Sequence, residues 1–151
     1  MTGKEEKFFV VLREYTGYCE KAGALLDSVV SGETDPEEGY ESLRLLKRQS
    51  RDVQGRLIER LYKAYREPAY ANEARSMVVR MDGIINGAKD IVNTLIVYHK
   101  DETCPEGIRV MTKLIRCAVS EMVKIIGYTD DVEANMMKMD ARCQRIYNME
   151  E

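Results

Sequence analysis

The sequence predicts an all-α protein, an antiparallel bundle of about five long amphipathic helices. Three observations carry this. Apolar residues recur at i, i+3, i+4 and i+7 through nearly the whole chain. Glycine, proline and capping residues punctuate that pattern at its breaks. No stretch alternates apolar and polar residues strongly enough to make a strand. The composition agrees: 44% of the 151 residues are hydrophobic, aromatics are few and Trp is absent. A chain of this length can bury one proper core, so residues 1–151 are read as a single helical domain.

The helices are expected near residues 5–30, 36–65, 72–99, 105–126 and 131–149. The first carries Phe8, Val11, Leu12, Tyr15, Cys19, Ala22, Leu25, Leu26 and Val29, with Gly32 as a stop signal. Asp35-Pro36-Glu37-Glu38 then supplies a cap, a proline for the first turn and an acid for a capping box. The second stripe is Leu43, Leu46, Ser50, Val53, Leu57, Leu61 and Ala64, and Pro68 breaks it. The third, Asn72 to His99, is the longest clean pattern and is expected to organise the bundle. Its stripe runs from Ala74 through Met77, Met81, Ile84, Ile85, Ala88 and Val92 to Ile96 and spans roughly 160° of the helix. Pro105 opens a fourth helix that Gly127 closes, and Asp130 with Glu133 suggests a capping box for the fifth. Connections this short make neighbouring helices antiparallel.

The charge is mixed along the chain and sums to -3, which argues against nucleic acid. Cys19, Cys104, Cys117 and Cys143 show no zinc spacing and are read as free thiols in a reduced, cytoplasmic setting. Phe8 to Leu12 is too short a run for a signal or a span, so membrane contact would be peripheral, through a partner. There is one histidine, no Ser-His-Asp order and no phosphate-binding glycine loop, so catalysis has little support and the chain is read as a non-enzyme.

Beside the third stripe runs a polar ridge: Asp82, Asn86 and Asp90 at i+4 spacing. Its simplest reading is a solvated surface; the sharper one is an ion- or phosphate-linked site. His99 suits the last turn of that helix, where its protonated form meets the helix dipole. Gly83 and Gly87 are read either as tolerated drift or as a close approach by another helix or a partner. The methionines, Met77, Met81, Met111, Met122, Met136, Met137 and Met139, are read first as core filler and then, as the lesser reading, as a partner groove.

Phe8-Phe9 opening a long helix, Lys63-Ala-Tyr-Arg-Glu-Pro68 closing the next, the MDGIINGAKD helix ending in Leu95-Ile-Val-Tyr98, and the closing Arg145-Ile146-Tyr147 together resemble the PhoU-like proteins. More narrowly, they resemble the branch that accompanies Pit-type phosphate transporters. That resemblance implies a pair of three-helix bundles, and five helices leave the C-terminal bundle one helix short. It implies an accessory or regulatory role in phosphate transport, exercised by binding a transporter or signalling partner. It also implies E/D-x-x-x-D motifs holding Fe or Zn, and these are degenerate. Arg48 precedes Asp52, where an i, i+4 ion pair is expected instead; Asp82 is followed by Asn86, and Asp140 by Gln144. Asp52, Asp82, Asn86, Asp90 and Asp140 would form at most a weak or vestigial metal site, and no cofactor is expected. Gly83, Gly87, Met136 and Met139 are the candidate partner surface, and a homo-oligomer stays open. The alternatives are a helical adaptor with no phosphate role and a metal-binding regulator using the remaining carboxylates.

Overall fold

The computed structural model describes residues 1–98 and 104–150. It contains α1 (Gly3–Val30), α2 (Pro36–Ala64), α3 (Pro68–Tyr98), α4 (Glu106–Gly127) and α5 (Val132–Glu150), with a 3-10 turn at Tyr128–Asp130 between the last two. No strand occurs among the described residues.

Local chemistry explains the helix ends. Thr2 and Glu5 form a reciprocal capping box at the start of α1, the Thr2 N–H donating to the Glu5 carboxylate at 2.6 Å. Gly32 follows α1 at φ +81, a left-handed turn that glycine adopts without strain. There the Glu33 N–H donates back to the Ser28 carbonyl at 2.9 Å. Asp35 accepts from the Glu37 and Glu38 amides at 3.0 and 3.2 Å. Pro68 does not break the pattern; it is the first residue of α3, one turn ahead of the expected start. A first-turn proline forfeits no helical N–H, so it can begin a helix that it could not continue. Asp131, not Asp130, caps α5 by accepting from the Ala134 N–H at 3.0 Å. Asp130 instead meets Arg13 of α1 at 2.7 Å.

The hub is α1, not α3. It buries eleven residues and packs against α2, α3 and α4. Phe8, Tyr15, Ala22 and Val29 lie seven apart, and Leu12, Cys19 and Leu26 repeat the spacing beside them. α3 answers with Ala71, Val78, Ile85 and Val92 and, offset, Met81, Ala88 and Leu95. That heptad rhythm is the signature of knobs-into-holes packing at shallow crossing angles. α1, α2 and α3 therefore form one tight three-helix bundle. The C-terminal half is not built alike: α4 rests on α1, and α5 leans on α4 and buries none of its residues.

The methionines divide accordingly. Met81 is buried and Met77, Met122 and Met139 are half-buried, but Met111, Met136 and Met137 stand exposed and are not core filler. The cysteines divide too: Cys19 is buried, whereas Cys117 and Cys143 face outward.

At the start of α2, Gly39 sits against α1 so closely that a Cβ would overlap a Val29 methyl. Gly39→Ala is expected to cost about 1–3 kcal/mol, the range for overpacking a filled core. Urea unfolding of the two proteins, followed by helicity, checks it; equal midpoints would refute the close fit.

Candidate functional site

Where α1, α2 and α3 meet, the chain builds a polar network inside an otherwise apolar seam. Tyr15, fully buried on α1, donates its hydroxyl to Asp82 Oδ1 at 2.9 Å. Lys47 on α2 places its ammonium on the same oxygen. Asn86, one turn along α3, donates its side-chain N–H to Asp82 Oδ2 at 3.0 Å. Ser50, also buried, donates to the Lys47 carbonyl at 2.9 Å, and the Cys19 thiol points at the Met81 carbonyl at 3.5 Å. Lys47 and Asp82 keep only 15% and 20% of their side-chain surface, so solvent screens them less than a surface pair.

The electrostatics follow from that burial. Desolvation alone would raise the Asp82 carboxyl, but hydrogen bonds from Lys47 and Tyr15, with the lysine charge and Asn86, bring it below the usual carboxylate value. Burial pushes the Tyr15 phenol far up, and the neighbouring carboxylate adds to the effect. Burial, then the Asp82 charge, pushes the Cys19 thiol up to about 12, which keeps it protonated at neutral pH. The cluster thus holds a poor base, a pinned cation and a quiescent thiol. Both Asp82 oxygens are taken by donors of this chain. Such an arrangement sets helix register rather than presenting a reactive atom.

The expected ridge therefore splits. Asp82 and Asn86 turn inward and are not a solvated surface, while Asp90 is exposed and lends its carbonyl to Thr94 at 2.9 Å. Asp52 is exposed on α2, and the expected Arg48–Asp52 pair is not among the ion pairs of the described residues. Asp140 lies exposed on α5. Among the described residues no three His, Cys, Asp or Glu side chains come together as a metal-holding group. Gly83 and Gly87 face open space: a Cβ on either would have no heavy atom within 4 Å, so no other helix among the described residues approaches there. Met136 is exposed and Met139 half-buried. His99 lies outside the described residues.

Another cluster fastens α5 to α4. Glu121 keeps 9% of its side-chain surface and receives Arg142 at 2.7 Å and Lys124 at 2.9 Å, with Arg145 at 3.8 Å. Arg142 also donates to the Tyr128 hydroxyl at 3.2 Å and lies over that ring. Hydrogen bonds from Lys124 and Arg142 hold the Glu121 carboxyl below its usual value.

Periodicity points at Tyr15 only as a stripe residue, and Lys47 stands just beside the α2 stripe. A lysine flanking an apolar seam, opposite an acid flanking another, is the signal that could have paired them. Glu121 carries no such signal, because its partners depend on how α5 folds back.

A further element is a groove between α3 and α4, which both rest on α1. One end, about 520 Å³, is lined by Met77, Arg80, Ile84 and Met122. The other, about 350 Å³, is lined by Ile91, Ile108, Met111 and Ile115. No helix among the described residues is long and apolar enough to cross a membrane. No family model, curated protein or solved structure matches the chain.

Removing the Asp82 carboxylate strands the Lys47 charge. Asp82→Ala is expected to cost about 2–3 kcal/mol, below the roughly 3–5 kcal/mol of a fully buried pair, because some solvent reaches this one. Lys47→Met with Asp82→Leu should recover only part of it in a denaturant titration, because the buried Tyr15 hydroxyl loses its acceptor. The pH dependence has a definite sign. A depressed carboxyl stabilises the fold above its unfolded-state value, near pH 4, and that contribution disappears as pH falls through the folded-state value. Acid titration should therefore show a shallower decline below about pH 4 for Asp82→Asn than for the wild type; identical acid limbs would remove Asp82 from the account.

Proposed function

We propose that this chain is a non-enzymatic accessory or regulatory protein of inorganic phosphate transport, working on the cytoplasmic side by docking on a Pit-type transporter or a signalling partner. The observation that supports a binding role is the exposed apolar surface of the α4–α5 hairpin. Met111 of α4 and Met136 and Met137 of α5 are 62%, 60% and 87% exposed, and Val110, Leu114, Val132 and Tyr147 add to them. Apolar side chains gathered this way on a water-facing surface mark a place for a partner. Methionine suits such a surface, being flexible and polarizable. The phosphate connection comes from the resemblance of the sequence to the PhoU-like proteins that accompany Pit-type transporters.

An adaptor with no phosphate role is the alternative reading, and the same surface favours it. The metal-regulator reading draws no support from the geometry, since Asp52, Asp82, Asp90 and Asp140 are not gathered into one group.

The discriminating experiment reconstitutes a Pit-type transporter in vesicles and follows radiolabelled phosphate uptake with and without this protein. The proposal expects a change in uptake of about twofold or more, lost in Met137→Lys, whose exposed side chain leaves the core untouched. Unchanged uptake with no co-elution of protein and transporter would sink the phosphate reading.

A further inference from the structure

The groove between α3 and α4 has a third border. The residues of α5 on the α4 side are Asn135, Met139, Arg142, Ile146 and Met149, all half-buried. Next to them runs another row, Val132, Met136, Cys143 and Tyr147, all exposed. At about 100° per residue these four fall within an arc of roughly 60°. With α4 and α5 antiparallel and Glu121 against Arg142, right-handed winding turns this row toward the groove rather than away from it. The groove of α3 and α4 and the exposed row of α5 beside it make one trough, the α5 row standing outside the residues that line the groove's two ends.

We propose that the trough is filled by α5 of a second copy of this chain, in a two-fold exchange that buries both exposed rows at once. This covers the row from Val132 to Tyr147 but leaves Met137 outside it for the functional reading above, and it does not depend on the phosphate link. Three features select a second copy. The first is length: α5 has 19 residues and spans about 28 Å, enough to cover the trough from Met77 to Ile91, about 21 Å along α3. The next is symmetry. A surface that is both the groove and the helix to fill it meets the self-complementarity of a two-fold dimer. The third is charge. Arg80 stands on the α3 rim of the trough and Asp140 flanks the exposed row of α5. Neither takes part in an ion pair among the described residues, and exchange brings one copy's arginine to the other's carboxylate.

Sedimentation velocity over a concentration series up to about 100 μM reads the oligomeric state without any transporter. A dimer is expected for the wild type. Arg80→Asp and Asp140→Arg should each raise the dissociation constant about tenfold or more, and the double reversal should restore it, because opposite charges then face each other again. Met136→Lys should give a monomer, with circular dichroism confirming that helicity is kept. A wild type that stays monomeric throughout would overturn the proposal. So would a dimer indifferent to Met136→Lys and both reversals, since it would use another face. Either failure leaves the uptake experiment standing, and an unchanged uptake leaves the dimer standing.

Discussion

The three-helix half of this protein depends on one buried contact, the Lys47–Asp82 pair with Tyr15 donating to the same carboxylate oxygen. Apolar seams in heptad rhythm are tolerant, because one layer of Leu, Val and Ile can slide onto the next at modest cost. A charged pair in that seam is not tolerant. Sliding α2 or α3 by one layer would leave an ammonium or a carboxylate without a partner in a poorly solvated place. Tyr15 ties α1 into the same arrangement, so one carboxylate specifies the register of all three helices. The cost of desolvating the pair is offset by three donors on one acid group.

That constraint also explains why α1 is the hub. α3 has the longest and cleanest apolar pattern, and on pattern alone it should lie at the centre. Yet the fully buried residues of α3 are all apolar ones of its stripe, whereas α1 is buried on a broader arc: Thr16 and Gly23 join Phe8, Leu12 and Cys19 in the interior. The broad arc lets α1 touch three neighbours.

Much of the fold was legible in the residues. Helical class, five elements, the Gly32 stop and the Asp35 cap all follow from spacing and from residues with few conformational options. What was not legible depends on contacts distant in the chain. Pro68 reads equally well as an ending or a beginning. Asp130 and Asp131 compete for one cap, and the contest is settled by Arg13, more than a hundred residues away. Asp82 and Asn86 were visible as a pair on one ridge, but whether the ridge faces water depends on where α2 lies. A helical wheel places a residue relative to its own stripe and not relative to its neighbours' side chains. The exposed methionines show the same limit: their spacing is that of core residues, and only the disposition of α4 and α5 reveals that no described part of this chain covers them.

The fastening of α5 separates it from the rest energetically. The first three helices cohere through buried hydrocarbon, a short-range attraction that persists at high ionic strength. α5 buries no residue and is held largely through Glu121, Arg142 and Tyr128, an attachment of charge and hydrogen bonding. It therefore belongs to the low-stability end of the molecule, able to peel from α4 as a cooperative unit while the core stays shut. In the monomer, amide protons of α5 would then exchange with solvent well before those of α1.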